Sequence, residues 1–252
     1  KIIVNIDGIE WKRDKWGVVA KYFLKFSESI AVRYANEIIT DNQIIKDYVN
    51  ETYNKKSNLI SYGGDHVTFE TISSDFPSIY QFINKKFAFK VCRIEPENNI
   101  HLILESFEDY NQLELVIIGN WDNSNYGKKL KLKYTENKHI HLLDPIYNQS
   151  ILNQIRCNCY LYIHGHSAGG TNPSLVEAMS LGLPIFSYAA KYNMETTKYK
   201  AKYFSDKLEL NNLLNQIDKA TLDKIGHDMK LISESEYRWA DIAEKYNKLF
   251  KK

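Results

Sequence analysis

Apolar and polar positions follow two periods along this chain. Short β-branched or aromatic runs are separated by longer stretches whose apolar residues recur every three or four positions, as on one face of a helix. KIIVN opens as a strand, and IDGIEWKRDKW behind it is a loop crowded with Asp7, Glu10, Trp11, Arg13 and Trp16. From about Val18 to Arg33, Val19, Tyr22, Phe23, Phe26 and Ile30 recur at helical spacing with Lys21, Lys25 and Glu28 between them. That pattern predicts a long amphipathic helix whose apolar face is core. EIIT then reads as a short strand, DNQIIKDYVNETY as a helix capped by Asp41 or Asn42, and NLISYGGD as a strand ending in a Gly63–Gly64 turn.

The segment from Val67 to Lys85 has no clear strand pattern and carries Pro77 and several serines, which places a domain boundary within it. Beyond it, strands are expected at about Phe87–Cys92, Leu115–Ile118, His139–Leu143, Cys159–Ile163 and Ile185–Tyr188, with helix-length stretches between them. Such alternation predicts a doubly wound parallel sheet with right-handed crossovers. From Asp206 onward the pattern is helical, and Ser235 to Phe250 sets Tyr237, Ala240, Ala243, Tyr246 and Phe250 on one face. The expected fold class is therefore α/β, with two Rossmann-like domains facing across a cleft. Residues 1–75 form the back half of the first, 76–235 the second, and 236–252 a C-terminal helix placed to pack back on the first. Because the chain starts at Lys1 inside a strand-like run, the first domain is expected to be incomplete at its N-terminus.

Composition narrows the class. Hydrophobic residues at 44% and charged ones at 25% match soluble proteins, and no apolar run approaches the ~20 residues of a membrane span. No signal peptide is visible. Three cysteines, Cys92, Cys157 and Cys159, form an odd set without framework spacing, which favours a reducing cytoplasm. A net charge of +2 is too small to imply a nucleic-acid partner. Around the first helix, Trp11, Trp16, Lys12, Arg13, Lys15, Lys21 and Lys25 combine aromatics and cations as interfacial segments do.

The stretch HGHSAGGTNPSLVEAMSLGLPIFSY, from His164 to Tyr188, reads as strand end, glycine loop, capped helix, stop and next strand. Ser167 to Gly170 can take conformations barred to bulkier residues, Asn172 can cap a helix, and Pro173 suits the first helical position. Gly182 ends the helix and Pro184 opens the next strand. Free N–H groups at a helix start, facing a glycine loop at the carboxyl end of a buried strand, are where parallel sheets hold anions. Glu177 lies a turn inside that helix, too deep to help a phosphate but able to accept hydrogen bonds from a polyol such as ribose. The alternative is a plain tight turn, with Glu177 in solvent and His164 and His166 as structural histidines.

The loops CRIEPENN, GNWDNSNYG, DPIYN and HGHSAGGTN end successive strands and would converge on one crevice. Arg93, in the first, is a natural phosphate partner; otherwise it pairs with Glu95. Cys157, Cys159, His164 and His166 look like a metal cluster. At about 3.3 Å per residue of strand, however, the outer two stand roughly 30 Å apart, so they cannot share one zinc.

In this pattern the chain resembles the two-domain nucleotide-sugar glycosyltransferases. More narrowly it is similar to the retaining family four, in its rhamnosyltransferase-like branch that builds bacterial surface polysaccharides. The resemblance is carried by NIDGIEWKRDKW, KYFLKFSESIAV, EIITDNQIIKDYV with LISYGGD, CRIEPENNIHLILESF, HGHSAGGTNPSLVEAM and YNMETTKYKAKYF. It implies the glycosyltransferase B type of fold and transfer of a sugar from a UDP- or dTDP-sugar donor to a saccharide acceptor, itself lipid-linked or growing. With it goes the expectation of a cytoplasmic protein, peripheral on the inner face of the membrane; because helix N–H groups and Arg93 can stabilise the departing diphosphate, no cofactor and no essential metal are expected. By the same resemblance Glu177 matches the glutamate that holds the ribose and Arg93 the arginine that holds the diphosphate. The N–H groups of Gly170, Thr171 and Asn172 match the loop that meets diphosphate and sugar, with Gly169 and Ser174 beside them. Pro145 and Ile146 fall where relatives bracket the nucleobase, and Asp7 where they place a polar residue against the reacting sugar. Asp7 and Glu10 are candidates to orient the acceptor or steady positive charge, unless they only form loop salt bridges with Lys12 and Arg13.

Two positions depart from the family. Gly169 stands where the first glutamate of a pair belongs, and Asn98 where a lysine follows the arginine. His164 or His166 is then a candidate donor to the leaving phosphate, which makes the catalytic set Asp7, Glu10, Arg93 and His166. A noncatalytic sugar-nucleotide binding module and a nucleotide-sugar epimerase are the alternatives.

Overall fold

The computed structural model describes residues 1–13 and 15–251. Two parallel sheets carry the chain. The first has strands β1 (Ile3–Ile6), β2 (Glu37–Thr40) and β3 (Asn58–Leu59) in that order, joined by helices α1 (Val18–Tyr34) and α2 (Gln43–Tyr53). Asn42, not Asp41, caps α2, its side chain accepting from the Ile44 N–H at 3.0 Å. NLISYGGD pairs over only two residues, because the chain then leaves the sheet edge to run toward the second unit. Residues 67–85 contain the short helix α3 (Phe76–Ile79) and no strand among the described residues.

The second sheet has six strands: β4 (Phe87–Val91), β5 (Glu114–Ile118), β6 (Ile140–Leu143), β7 (Leu161–His164), β8 (Ile185–Tyr188) and β9 (Lys202–Phe204). They lie in the order β6-β5-β4-β7-β8-β9, all parallel. The three-residue β9, at the sheet edge, was not expected from the sequence pattern. The helices between strands are α4 (Ile100–Phe107), α5 (Asn125–Tyr134), α6 (Gln149–Cys157), α7 (Pro173–Ser180) and α8 (Lys191–Thr196). After β9 come α9 (Lys207–Asn215), α10 (Lys219–Glu236) and α11 (Trp239–Lys251). One large core built on Phe89, Ile117, Tyr162, Ile163 and Met179 fills this unit. Its strand order reverses between β4 and β7, so the chain leaves these neighbours in opposite directions and opens a crevice at their carboxyl ends.

Two packing expectations are overturned. The face of α1 with Val19, Tyr22, Phe23, Phe26 and Ile30 is not core: these side chains are 83%, 74%, 68%, 63% and 41% exposed. The helix docks on its own sheet through the opposite side, where Val32 is buried and Ala20, Leu24 and Ala31 are half-buried. A helix apolar on both sides gives a spacing that cannot say which side is inward. The last helix also breaks where continuity was expected: α10 ends at Glu236, the buried Tyr237 forms the turn, and α11 starts at Trp239. Its inward residues are Ile242 and Leu249, which pack with Ile39 and Ile60 of the first sheet, while Ala240, Ala243 and Phe250 face out.

Candidate active site

At the reversal point β4 delivers Arg93 and β7 delivers the glycine loop. Asn172 caps α7 through its side chain, accepting from the Ser174 N–H at 3.0 Å, and Pro173 follows as the first helical residue. Gly169 has φ +110°, a conformation that favours glycine. The N–H groups of Gly170 and Asn172 make no hydrogen bond among the described residues. That of Thr171 is taken: it donates to Asp41 Oδ2 at 3.0 Å, so one of the three amides expected to face the diphosphate meets a carboxyl group of the first unit instead. A Cβ on Gly170 would collide with that carboxyl, which is why the loop needs a glycine there.

Three cavities adjoin this loop: one of about 660 Å³ lies beside Ser167, Ala168 and Gly169 with Lys12, Glu95 and Tyr192, and the two others reach Arg93. Of these two the smaller, about 210 Å³, is lined by Asp7, Glu10, Asp41, Arg93, His166 and Gly169 to Pro173. The larger, about 380 Å³, is lined by Arg93, Asn98, Arg156, His166, Ser174 and Glu177. Arg93 and His166 border both. The Arg93 side chain is 65% exposed, its nearest anion Glu95 at 3.8 Å, which leaves its donors available.

Glu177 is held by two donors that sequence reasoning missed. Arg156, buried on α6, reaches Oε2 at 2.8 Å, and His66 Nε2 meets Oε1 at 3.2 Å. The Trp239 indole N–H, which can only donate, donates to His66 Nδ1 at 3.0 Å, so the histidine proton lies on Nε2 and points at the carboxylate. Each carboxylate oxygen keeps a lone pair for a ligand hydroxyl in the larger cavity. Arg156 sits mid-helix and His66 in an irregular loop, and neither position carried a signal in the sequence.

His166 is fixed by Asn98. The Asn98 amide donates to the Arg93 carbonyl at 2.9 Å, leaving its oxygen to accept from His166 Nδ1 at 3.1 Å. Burial, aided by the charge of Lys90, pushes the His166 pKa down to about 4. The neutral ring thus carries its proton on Nδ1 and presents Nε2 as an acceptor, so the donor role toward a leaving phosphate is not one this ring fills. His164 fills it no better. It is 2% exposed in β7, lines neither cavity, has both ring nitrogens unpartnered, and burial holds its pKa well below the usual histidine value.

The other candidates divide. Asp7 lines the smaller cavity. Glu10 borders it too, but is bound to Arg13 at 2.8 Å, Lys15 at 3.0 Å and the Trp16 indole at 2.9 Å. Though burial opposes it, these donors hold its pKa down to about 2. Arg13 reaches across to Glu97 with Nε at 2.8 Å and with a second, closer bond, tying the two units together. Asn42 adds to that tie, donating to Thr196 Oγ1 at 3.2 Å and the Tyr192 carbonyl at 3.3 Å. Ser174 lines the larger cavity and accepts from the Tyr162 hydroxyl at 3.1 Å. Pro145 and Ile146 are half-buried in the loop after β6 and line neither cavity.

Residues 75–247 match the family described as Glycosyl transferases group 1, and residues 1–65 match a domain of unknown function (DUF1972). No curated protein matches the chain. Among solved structures it is similar to HepE from Anabaena, in complex with UDP and glucose, at TM-score 0.82 and 17% identity, over 99% of this chain and 71% of that one. Sucrose-phosphate synthase from Thermosynechococcus elongatus superposes at TM-score 0.81 and 14% identity, over 99% and 67%. The pneumococcal O-GlcNAc transferase GtfA, in complex with UDP and GlcNAc, does so at TM-score 0.68 and 14% identity, over 99% and 52%. At these identities the likeness shows a shared α/β fold.

Proposed function

This chain belongs to the glycosyl transferases group 1, enzymes that move sugars from nucleotide-sugar donors, and on that premise we propose its reaction and site. It transfers a rhamnosyl, hexosyl or N-acetylhexosaminyl unit, with retention, from a nucleoside diphosphate sugar to a hydroxyl of a lipid-linked or growing saccharide. The product is a bacterial surface polysaccharide of O-antigen or capsule type. The observation that carries this reading is the pairing, in one cavity, of the exposed Arg93 with the clamped carboxylate of Glu177, a turn inside α7. Those groups suit a diphosphate and a ribose side by side. UDP in HepE and GtfA favours a uridine donor, with dTDP as the other candidate.

In this reading Glu177 accepts from the ribose hydroxyls, the orientation set by Arg156 and His66. Pro145 and Ile146 stand on the side of the base. Arg93 and the free amides of Gly170 and Asn172 receive the charge that develops on the departing diphosphate, as preorganised donors that need no reorganisation during the reaction. Asp7 and the Nε2 atom of His166 face the sugar and acceptor as hydrogen-bond acceptors. The exposed apolar face of α1, with Lys12, Lys15 and Lys25 near it, rests on an anionic membrane at the cytoplasmic side. No helix of the described residues is long and apolar enough to cross one. Flotation with anionic vesicles tests that placement, and protein left wholly in solution rejects it.

The deciding experiment is calorimetric titration with UDP and with dTDP, repeated on Glu177→Ala. Binding of one nucleotide, weakened about tenfold or more in the variant, is expected for a charged acceptor lost from the ribose. Equal binding by both proteins would refute the site.

A further inference from the structure

Asp41 directly follows β2 and is only 2% exposed. Its Oδ2 accepts from the Thr171 N–H at 3.0 Å, and its carbonyl accepts from Thr171 Oγ1 and from Ser61 Oγ, each at 2.7 Å. Two bonds from Thr171 therefore fix the residue against the glycine loop, and one from Ser61 holds it to its own unit. Its other carboxyl oxygen, Oδ1, is buried and has no partner. A buried acceptor left unpaired is rare in native proteins and marks a place where something absent completes the set.

The smaller cavity says what that something is. Asp41, Asp7 and Arg93 line it with the acceptor-bearing ring of His166. Beside three carboxyl groups, Asp7, Glu10 and Asp41, an anion is disfavoured, whereas a neutral ligand rich in hydroxyl groups, each both donor and acceptor, can satisfy Asp41 Oδ1, Asp7 and His166 Nε2 together. Of the two guanidinium groups that line it, Arg13 is tied to Glu10 and Glu97, and the exposed Arg93 is the one a ligand's phosphate can engage. A volume of about 210 Å³ holds roughly seven waters at ~30 Å³ each, room for one sugar ring and not for an oligosaccharide. These three properties together describe the glycosyl end of a sugar phosphate.

We propose that Asp41 is a specificity-determining residue of the donor site, sharing through Oδ1 a hydrogen bond with a hydroxyl of the transferred sugar while Oδ2 stays on the Thr171 amide. The assignment rests on the donor reading above and adds to it that the sugar is gripped from the first unit as its nucleotide is gripped from the second. A carboxyl group thereby reaches the glycine loop, whose own sequence carries none between His164 and Asn172.

Titration of the wild type and Asp41→Asn at pH 9, where the Asp41 carboxyl is ionised, with UDP against UDP-glucose, and with dTDP against dTDP-rhamnose, tests it. The wild type should bind one sugar nucleotide more tightly than the matching diphosphate. Asp41→Asn should keep the diphosphate affinity within about twofold and lose the sugar increment, about tenfold or more, as expected for a lost charge-assisted bond. An increment unchanged in the variant would overturn the assignment, and so would an equal fall for diphosphate and sugar nucleotide, the mark of a merely structural residue. A wild type that binds diphosphate with no sugar increment refutes this assignment alone; one that binds no nucleotide refutes the donor reading with it. If Asp41→Asn does not fold, Asp41→Ser is measured in its place against the same outcomes.

Discussion

Asp41 should make the protein less stable as pH rises, and its amide analogue should not share that behaviour. Burial, followed by the charge of Asp7 and, more weakly, that of Glu195, raises its pKa from 3.8 to about 8; the Thr171 N–H pulls the other way without prevailing. The folded protein thus keeps a proton that the unfolded chain releases near pH 4. Between about pH 4 and pH 8 the native state binds more protons, so stability falls with rising pH, and the loss is complete above the folded value. About four pH units at 1.36 kcal/mol each set a ceiling of roughly 5 kcal/mol. Parting of the Asp41–Thr171 contact would let water reach the carboxylate and return a share of this, so a net loss of ~2 kcal/mol is the working expectation. For a chain of this size that corresponds to about 4–8 °C in melting temperature. Thermal melts of wild type and Asp41→Asn at pH 5.5, 7 and 9 supply the assay. The two should melt together at pH 5.5, and the variant should be the more stable at pH 9. Parallel pH curves for the two proteins would refute the reasoning, because the titrating group would then lie elsewhere.

Arg93→Ala should lower kcat/KM by about a hundredfold, as expected for a charged donor to a developing anion, and leave the melting temperature within a degree or so because the side chain is mostly exposed; a normal rate with the best nucleotide would remove Arg93 from the site. Gly170→Ala drives a methyl group into the Asp41 carboxyl, so it should cost about 1–3 kcal/mol, read as a lowered melting temperature, and Asp41→Ser in the same chain should restore part of it. Arg156→Met takes one partner from a buried ion pair and should destabilise by about 3 kcal/mol while weakening nucleotide binding; a stable variant with unchanged affinity would show that Glu177 needs no clamp. With Arg93 and backbone amides receiving the diphosphate, turnover should survive EDTA, and loss of activity restored by added Mg²⁺ would refute that assignment.

The strands were legible because each is a short apolar run bounded by loop residues: Ile185–Tyr188 falls where expected, and the strands of β4 to β7 shift by only one or two residues. The same period misled at α1. There one apolar stripe meets the sheet and another lies open, and spacing alone carries no information about what covers a face. Residues β9 and the short β3 were harder for a different reason, since a two- or three-residue strand is made by pairing at a sheet edge more than by its own propensity.

The glycine loop, its cap at Asn172 and the cation at Arg93 were readable because local chemistry dictates them: a positive φ, an unpaired N–H and a strand end each leave a mark within a few residues. What completes the site is long-range. Asp41 read only as one of two candidate caps for α2, and once Asn42 takes that role the carboxyl group is released to cross to a loop 130 residues away. Arg156 and His66 likewise approach Glu177 from a helix and a loop on either side of it in space, 21 and 111 residues distant in sequence. Local signals therefore mark the positions where a ligand can be held, while the groups that decide how it is held are set by packing between the two units. That is why the missing carboxyl at Gly169 looked like a loss in the sequence, while in three dimensions the absent side chain of the next residue, Gly170, leaves the space into which the Asp41 carboxyl fits.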